Sequence, residues 1–226
     1  MKSFSRLLVL GGVLLAPALL VADAFEGKVS LALTSGKGRP QNFNYAMKGS
    51  SMRIDMDTGK GESFASIMDL EKREMLVVMT AQKMYMMMPM EAMEAKARDA
   101  AAERTATAER TGKTDTLLGY KCEQWLMHDK DRVSEAWVAE GLGTFMGLGG
   151  GGPTGGGRKV SGWEAALKGK GGFPLRVIER DGSGKEVSRL EATKIEPGPL
   201  PASLFAPPAG FQKFEMPNLG GLFKQG

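Results

Sequence analysis

From Phe25 onward, apolar and polar residues alternate with a period of two, the pattern of a strand with one face in a core and the other in water. Phe25, Gly27, Val29, Leu31 and Leu33 alternate with Glu26, Lys28, Ser30, Ala32 and Thr34. The alternation resumes beyond the turn-rich 35–40 with Phe43, Tyr45 and Met47, and beyond Gly49-Ser50-Ser51 with Met52, Ile54 and Met56. Phe64 to Asp69 and Glu74 to Met79 predict a fourth and a fifth strand, and Met84 to Met88 a sixth. Short turns between these runs predict an antiparallel meander. The sixth run is apolar on both faces, so it needs the core on one side and a second cover, for which a helix is the obvious element, on the other.

A helix is predicted from Met90 to Arg110, a stretch rich in Ala, Glu, Arg and Lys that opens after Pro89 and stops at Thr111-Gly112. The strand pattern then returns. Lys121 to Met127 and Val133 to Ala139 read as one hairpin, and Phe173 to Arg180 with Glu186 to Ile195 as another. Between the hairpins lies Gly141 to Gly157, where ten of seventeen residues are glycine, which predicts a flexible and dispensable loop. It lacks the Gly-Lys-Ser or Gly-Lys-Thr of a phosphate cradle. Trp163 to Lys168 predicts a short helix. The tail from Pro197 is extended and proline-rich, with Leu204, Phe205 and Phe211 available to pin it to the body.

The first 24 residues have another pattern. Lys2 and Arg6 precede an apolar run from Leu7 to Val21, and Ala22-Asp23-Ala24 offers a small-x-small cleavage site. The run is shorter than the roughly 20 apolar residues that span a bilayer, so residues 1–24 are expected to be a signal peptide. Residues 25–226 are expected to form a single domain, periplasmic or secreted. No cysteine stands beside the cleavage site to carry a lipid.

Composition removes several classes of function. A net charge of +4 with scattered Lys and Arg gives no basic face for nucleic acid. The lone cysteine, Cys122, cannot form an internal disulfide and reads as a buried small hydrophobe. The lone histidine, His128, lies in the polar turn His128-Asp129-Lys130-Asp131, so neither a His-based catalytic device nor a typical zinc site is expected. We therefore expect no catalytic residues, no enzyme activity and no cofactor.

Several short stretches carry a resemblance. Leu118-Gly119-Tyr120-Lys121-Cys122, Met52-Arg53-Ile54, Lys83-Met84-Tyr85 and the closing 200–211, Leu-Pro-Ala-Ser-Leu-Phe-Ala-Pro-Pro-Ala-Gly-Phe, resemble a family of bacterial exported proteins with a domain of unknown function. In fold the arrangement is similar to periplasmic lipoprotein carriers, LolA-like and LolB-like. That resemblance implies a mainly β (α+β) class: a curved antiparallel sheet forming an incomplete barrel around one long and one short helix, enclosing an apolar cavity for acyl chains. It brings no catalytic residues.

Sixteen methionines, most of those beyond residue 24 between Met47 and Met93, are the remaining signal. Three accounts of them stand. Met75, Met79, Met84, Met86, Met88, Met90 and Met93 fill an irregular core, or they line a cavity for an apolar molecule, since methionine is unbranched and adaptable. Alternatively Met84, Met86, Met88 and Met90 offer soft thioethers to Cu(I). The expected function is a non-enzymatic binding or carrier protein for an apolar small molecule, acyl chain or lipoprotein. A copper module or an envelope structural protein are the alternatives. An envelope protein partner and peripheral membrane contact fit the first account, and nucleic acid fits none.

Overall fold

The computed structural model describes residues 25–57, 63–91, 107–148 and 160–215. The expected signal peptide, Met93 and the second half of the glycine-rich stretch lie outside these residues. Within them one twelve-stranded sheet dominates.

Its first half is the meander the alternation predicts: β1 (Gly27–Ser35), β2 (Gln41–Lys48), β3 (Ser51–Asp57), β4 (Ser63–Asp69), β5 (Glu74–Met79) and β6 (Met84–Pro89). Its second half holds β7 (Thr107–Leu117), β8 (Tyr120–Asp129), β9 (Arg132–Ala139), β10 (Phe173–Arg180) and β11 (Glu186–Pro197). The halves join where β11 pairs with β1, giving the order β12-β6-β5-β4-β3-β2-β1-β11-β10-β9-β8-β7. All neighbours are antiparallel except the short β12 (Gln212–Lys213), which runs parallel to β6. The sheet is open, with β12 at one edge and β7 at the other.

The helices depart from expectation. Among the described residues there is no long helix, and the short one is α1 (Gly162–Leu167). Met90 and Glu91 have helical backbone, and 92–106 fall outside the described residues. Thr107 to Arg110, assigned by composition to the helix, are the start of β7. This strand is exposed along most of its length, so it carries no buried stripe that a period-two reading could find. Its pairing with β8 is what makes it a strand.

One hydrophobic cluster runs along one face of the sheet, from Met75 and Val77 through Ile54, Tyr45 and Phe43 to Val177, Ala136 and Trp125. Residues 142–148 and α1 lie against it. Leu142, Phe145 and Leu148 are fully buried, so this half of the glycine-rich stretch belongs to the core and is not the loose tether its composition predicts. Phe145 stacks on Trp163 at 5.9 Å and meets Phe173 edge-on at 5.7 Å. Buried Glu164 of α1 accepts the Leu148 N–H at 2.7 Å. Gly147 is required there: its φ is +95°, and a Cβ would stand 3.0 Å from Glu164 Oε1.

Over β3 to β6 the opposite face is covered by the tail, which acts as a strap. Beyond Pro197, Lys48 donates to the Leu200 carbonyl at 2.6 Å, and Glu26 accepts from both Lys48 and the Leu200 N–H. Arg53 Nη1 donates to the Leu204 carbonyl at 3.1 Å. Phe205 and Phe211 then pack on Ala65, Ile67, Leu76 and Val78. Gln212 and Phe214 finally donate backbone N–H groups to the Lys83 and Tyr85 carbonyls. The second cover that β6 needs is therefore supplied by this strap at Tyr85, where a helix was expected.

Candidate functional site

Strand pairing places the methionines in rows. Met47 of β2 stands opposite Met52 of β3, Met52 opposite Met68 of β4, Met68 opposite Met75 of β5, and Met75 opposite Met88 of β6. A second row runs Phe43, Met56, Phe64, Met79 and Met84, and a middle row Tyr45, Ile54, Ser66, Val77 and Met86. Residues directly opposite share a face, and those two apart on one strand share it too. All three rows therefore pave the side of the sheet that carries the main cluster.

The seven candidate residues divide as follows. Met75, Met79, Met84, Met86 and Met88 come together on this face, two on β5 and three on β6. Met90 follows at the end of β6 and joins the same cluster. Met75, Met79, Met86 and Met90 are buried, with Met86 only 1% exposed, whereas Met84 and Met88 are half-buried. Sequence reasoning left out Met47, Met52, Met56 and Met68. The signal was present for Met47, Met52 and Met56, each on the apolar side of its own alternation, and absent for Met68, whose strand is apolar on both sides; register between strands is what brings all four to the others.

No carboxylate, amine, guanidinium or imidazole stands in the three rows, so the surface offers shape and polarisable sulfur with no charged group for acid–base chemistry. Elsewhere, burial pushes the Cys122 thiol up from its ordinary pKa, and its Sγ donates to the Tyr120 carbonyl at 3.5 Å. His128 is half-exposed, with Nε2 4.0 Å from Glu109 Oε1.

Two cavities accompany these features. One, of about 310 Å³, lies between the strap and the sheet and is lined by Arg53, Val78, Thr80, Ser203, Leu204 and Phe211 together with two prolines. The other, of about 170 Å³, adjoins Leu117, Leu118, Leu175 and Arg176. None of the candidate methionines lines either one.

Comparison with solved structures gives likenesses at low identity. A structure of PNGF-II is similar over 87% of this chain with a TM-score of 0.50 and 13% identity. The chain spans only 32% of that protein. An uncharacterized conserved protein from Thermus thermophilus matches 84% of this chain and 90% of its own, with a TM-score of 0.48 and 9% identity. A LolA superfamily protein from Nitrosomonas europaea matches 83% of this chain and 91% of its own, with a TM-score of 0.32 and 13% identity. Such identities speak of fold alone. No curated protein sequence matches. A family model does match, over residues 25–211, and the chain belongs to that family, described as a domain of unknown function, DUF4412.

Proposed function

We propose that this protein is an exported, non-enzymatic binding or carrier protein for an apolar ligand, an acyl chain or the lipid part of a lipoprotein. The observation that carries this reading is the methionine-paved face. Three aligned rows extend from β2 to β6, apolar except for Ser66 and the Tyr45 hydroxyl, and methionine contributes to every one of them. An ordinary core is filled with branched side chains of defined rotamer, which pack in one way. A surface of unbranched thioethers packs in many ways and tolerates ligands of varied shape. Each methylene sheltered there would contribute about 0.8 kcal/mol. Half-buried Met56, Met84 and Met88 at the margin of the rows supply a point of entry.

The row Met47-Met52-Met68-Met75-Met88 favours a second reading, Cu(I) binding. Thioethers select that ion by softness. Cross-strand neighbours have Cβ atoms about 4.5–5.5 Å apart, whereas residues two apart on one strand are separated by roughly 6.5 Å. The ligand set thus moves from Met84, Met86, Met88 and Met90, spaced two apart along the chain, to Met52, Met68 and Met75 across three strands.

Native mass spectrometry of the exported protein separates the readings. Retention of a lipid-sized mass is the expected result. A mass increase of one copper ion supports the second reading, and a consistently empty protein after incubation with lipid and with Cu(I) contradicts both.

A further inference from the structure

The strap is pinned on both sides of the cavity beneath it, and between the pins it meets the sheet through Phe205 and Phe211. On one side Lys48 holds the Leu200 carbonyl and Arg53 the Leu204 carbonyl. On the other, backbone bonds from Gln212 and Phe214 fasten the chain to β6. Pro201, Pro207 and Pro208 fall between, and their fixed φ angles stiffen the bridge. The result is a cavity of about 310 Å³. The cavity opens to solvent along its rim, where Thr80, Pro201 and Ser203 are exposed, and its volume reaches the lower end of the range for small-molecule sites.

The lining is amphipathic. Val78, Leu204 and Phe211 supply apolar surface, while Thr80 and Ser203 carry hydroxyls and Arg53 a guanidinium. Of the five N–H donors of a guanidinium, Nε and one on Nη2 go to Asp55 and one on Nη1 goes to Leu204. One donor on each of Nη1 and Nη2 remains for another acceptor. Asp55 lies 2.7 Å from Nη2 and balances the Arg53 charge, so an oxygen acceptor without charge suits this end better than a carboxylate.

We propose that the cavity is a binding site for a small neutral amphiphile, with a short acyl or alkyl body against Val78, Leu204 and Phe211 and a hydroxyl or carbonyl oxygen toward Arg53, Ser203 and Thr80. Val78 follows Val77 on β5, and adjacent strand residues point to opposite faces. The site is therefore on the other side of the sheet from the methionine rows and stands or falls independently of them.

Isothermal titration calorimetry of the purified protein with 1-octanol and with octanoate tests the assignment. Saturable binding of octanol is expected, tighter than that of octanoate. Ser203 and Thr80 are exposed positions on different elements, so Ser203→Trp and Thr80→Trp fill the cavity from its rim without burdening the core. Each variant should weaken octanol binding about tenfold or more, because it occupies the space the ligand needs. Should one of them unfold, the other carries the test. Val133→Thr, at an exposed position on β9 away from both the strap and the methionine rows, should leave octanol binding unchanged. No octanol binding by folded wild-type protein, or wild-type affinity in the tryptophan variants, overturns the site. Binding lost in Val133→Thr but kept in the tryptophan variants also overturns it. Tighter binding of octanoate than of octanol overturns the neutral head group.

Discussion

Phe145 stacks on Trp163 with ring centroids 5.9 Å apart, although Phe145 belongs to a glycine-rich stretch and Trp163 to a six-residue helix. Neither segment is anchored by its own regular structure. The two hold each other, and Phe145 is held as well by Tyr45 and Phe173, which close the aromatic cluster from β2 and β10.

Phe145→Ala is therefore expected to destabilise the protein by about 3–5 kcal/mol, the usual cost of deleting a buried aromatic side chain. Urea unfolding of the variant measures it. A loss under about 1 kcal/mol would mean that residues 142–148 contribute little to the core.

The strap should respond to acid through Glu26. The Leu200 N–H and then the Lys48 ammonium hold its carboxyl below the usual glutamate range. A depressed folded pKa adds stability above the unfolded value of about 4.3, and that stability is lost as pH falls through the lower folded value. The Leu200 amide signal in NMR should thus titrate below the ordinary glutamate range, and Glu26→Gln should abolish the inflection. An inflection at the ordinary glutamate pKa would contradict the bond to the strap.

Much of the fold was legible in the sequence, for identifiable reasons. Strands β1 to β3 bury mainly one side, and that burial imprints the period of two that predicts them, whereas β4 and β5 bury both faces and show as short apolar runs between turns. Strand β7 has no such imprint, and its Ala, Glu and Arg residues continue the helix-forming run before it. The glycines of 141–157 concealed three buried anchors, Leu142, Phe145 and Leu148, because composition counts residues without weighing the few that pack. Site residues were half legible. Met84, Met86 and Met88 announce a shared face by their spacing, but their alignment with Met47, Met52 and Met68 depends on a register that strand pairing alone fixes.

Cys122 should be a slow thiol. It is 1% exposed, and burial raises its pKa, so the thiolate that reacts is scarce as well as sheltered. Labelling by a thiol reagent at about pH 8, near the ordinary thiol pKa, should be far slower in native than in urea-unfolded protein. Equal rates would place the sulfur at the surface.

Uptake of a neutral, environment-sensitive hydrophobic dye by the native protein tests the methionine face most directly. Saturable uptake, competitive displacement by an acyl chain and weakened uptake in Met86→Phe and Met88→Trp are expected. Met88 is half-buried, so its replacement should cost less than the roughly 1–3 kcal/mol of overpacking a filled interior. The contrary result is a native protein with no saturable dye binding and an unfolding midpoint indifferent to fatty acids and lipids, which would make the methionine rows a closed core.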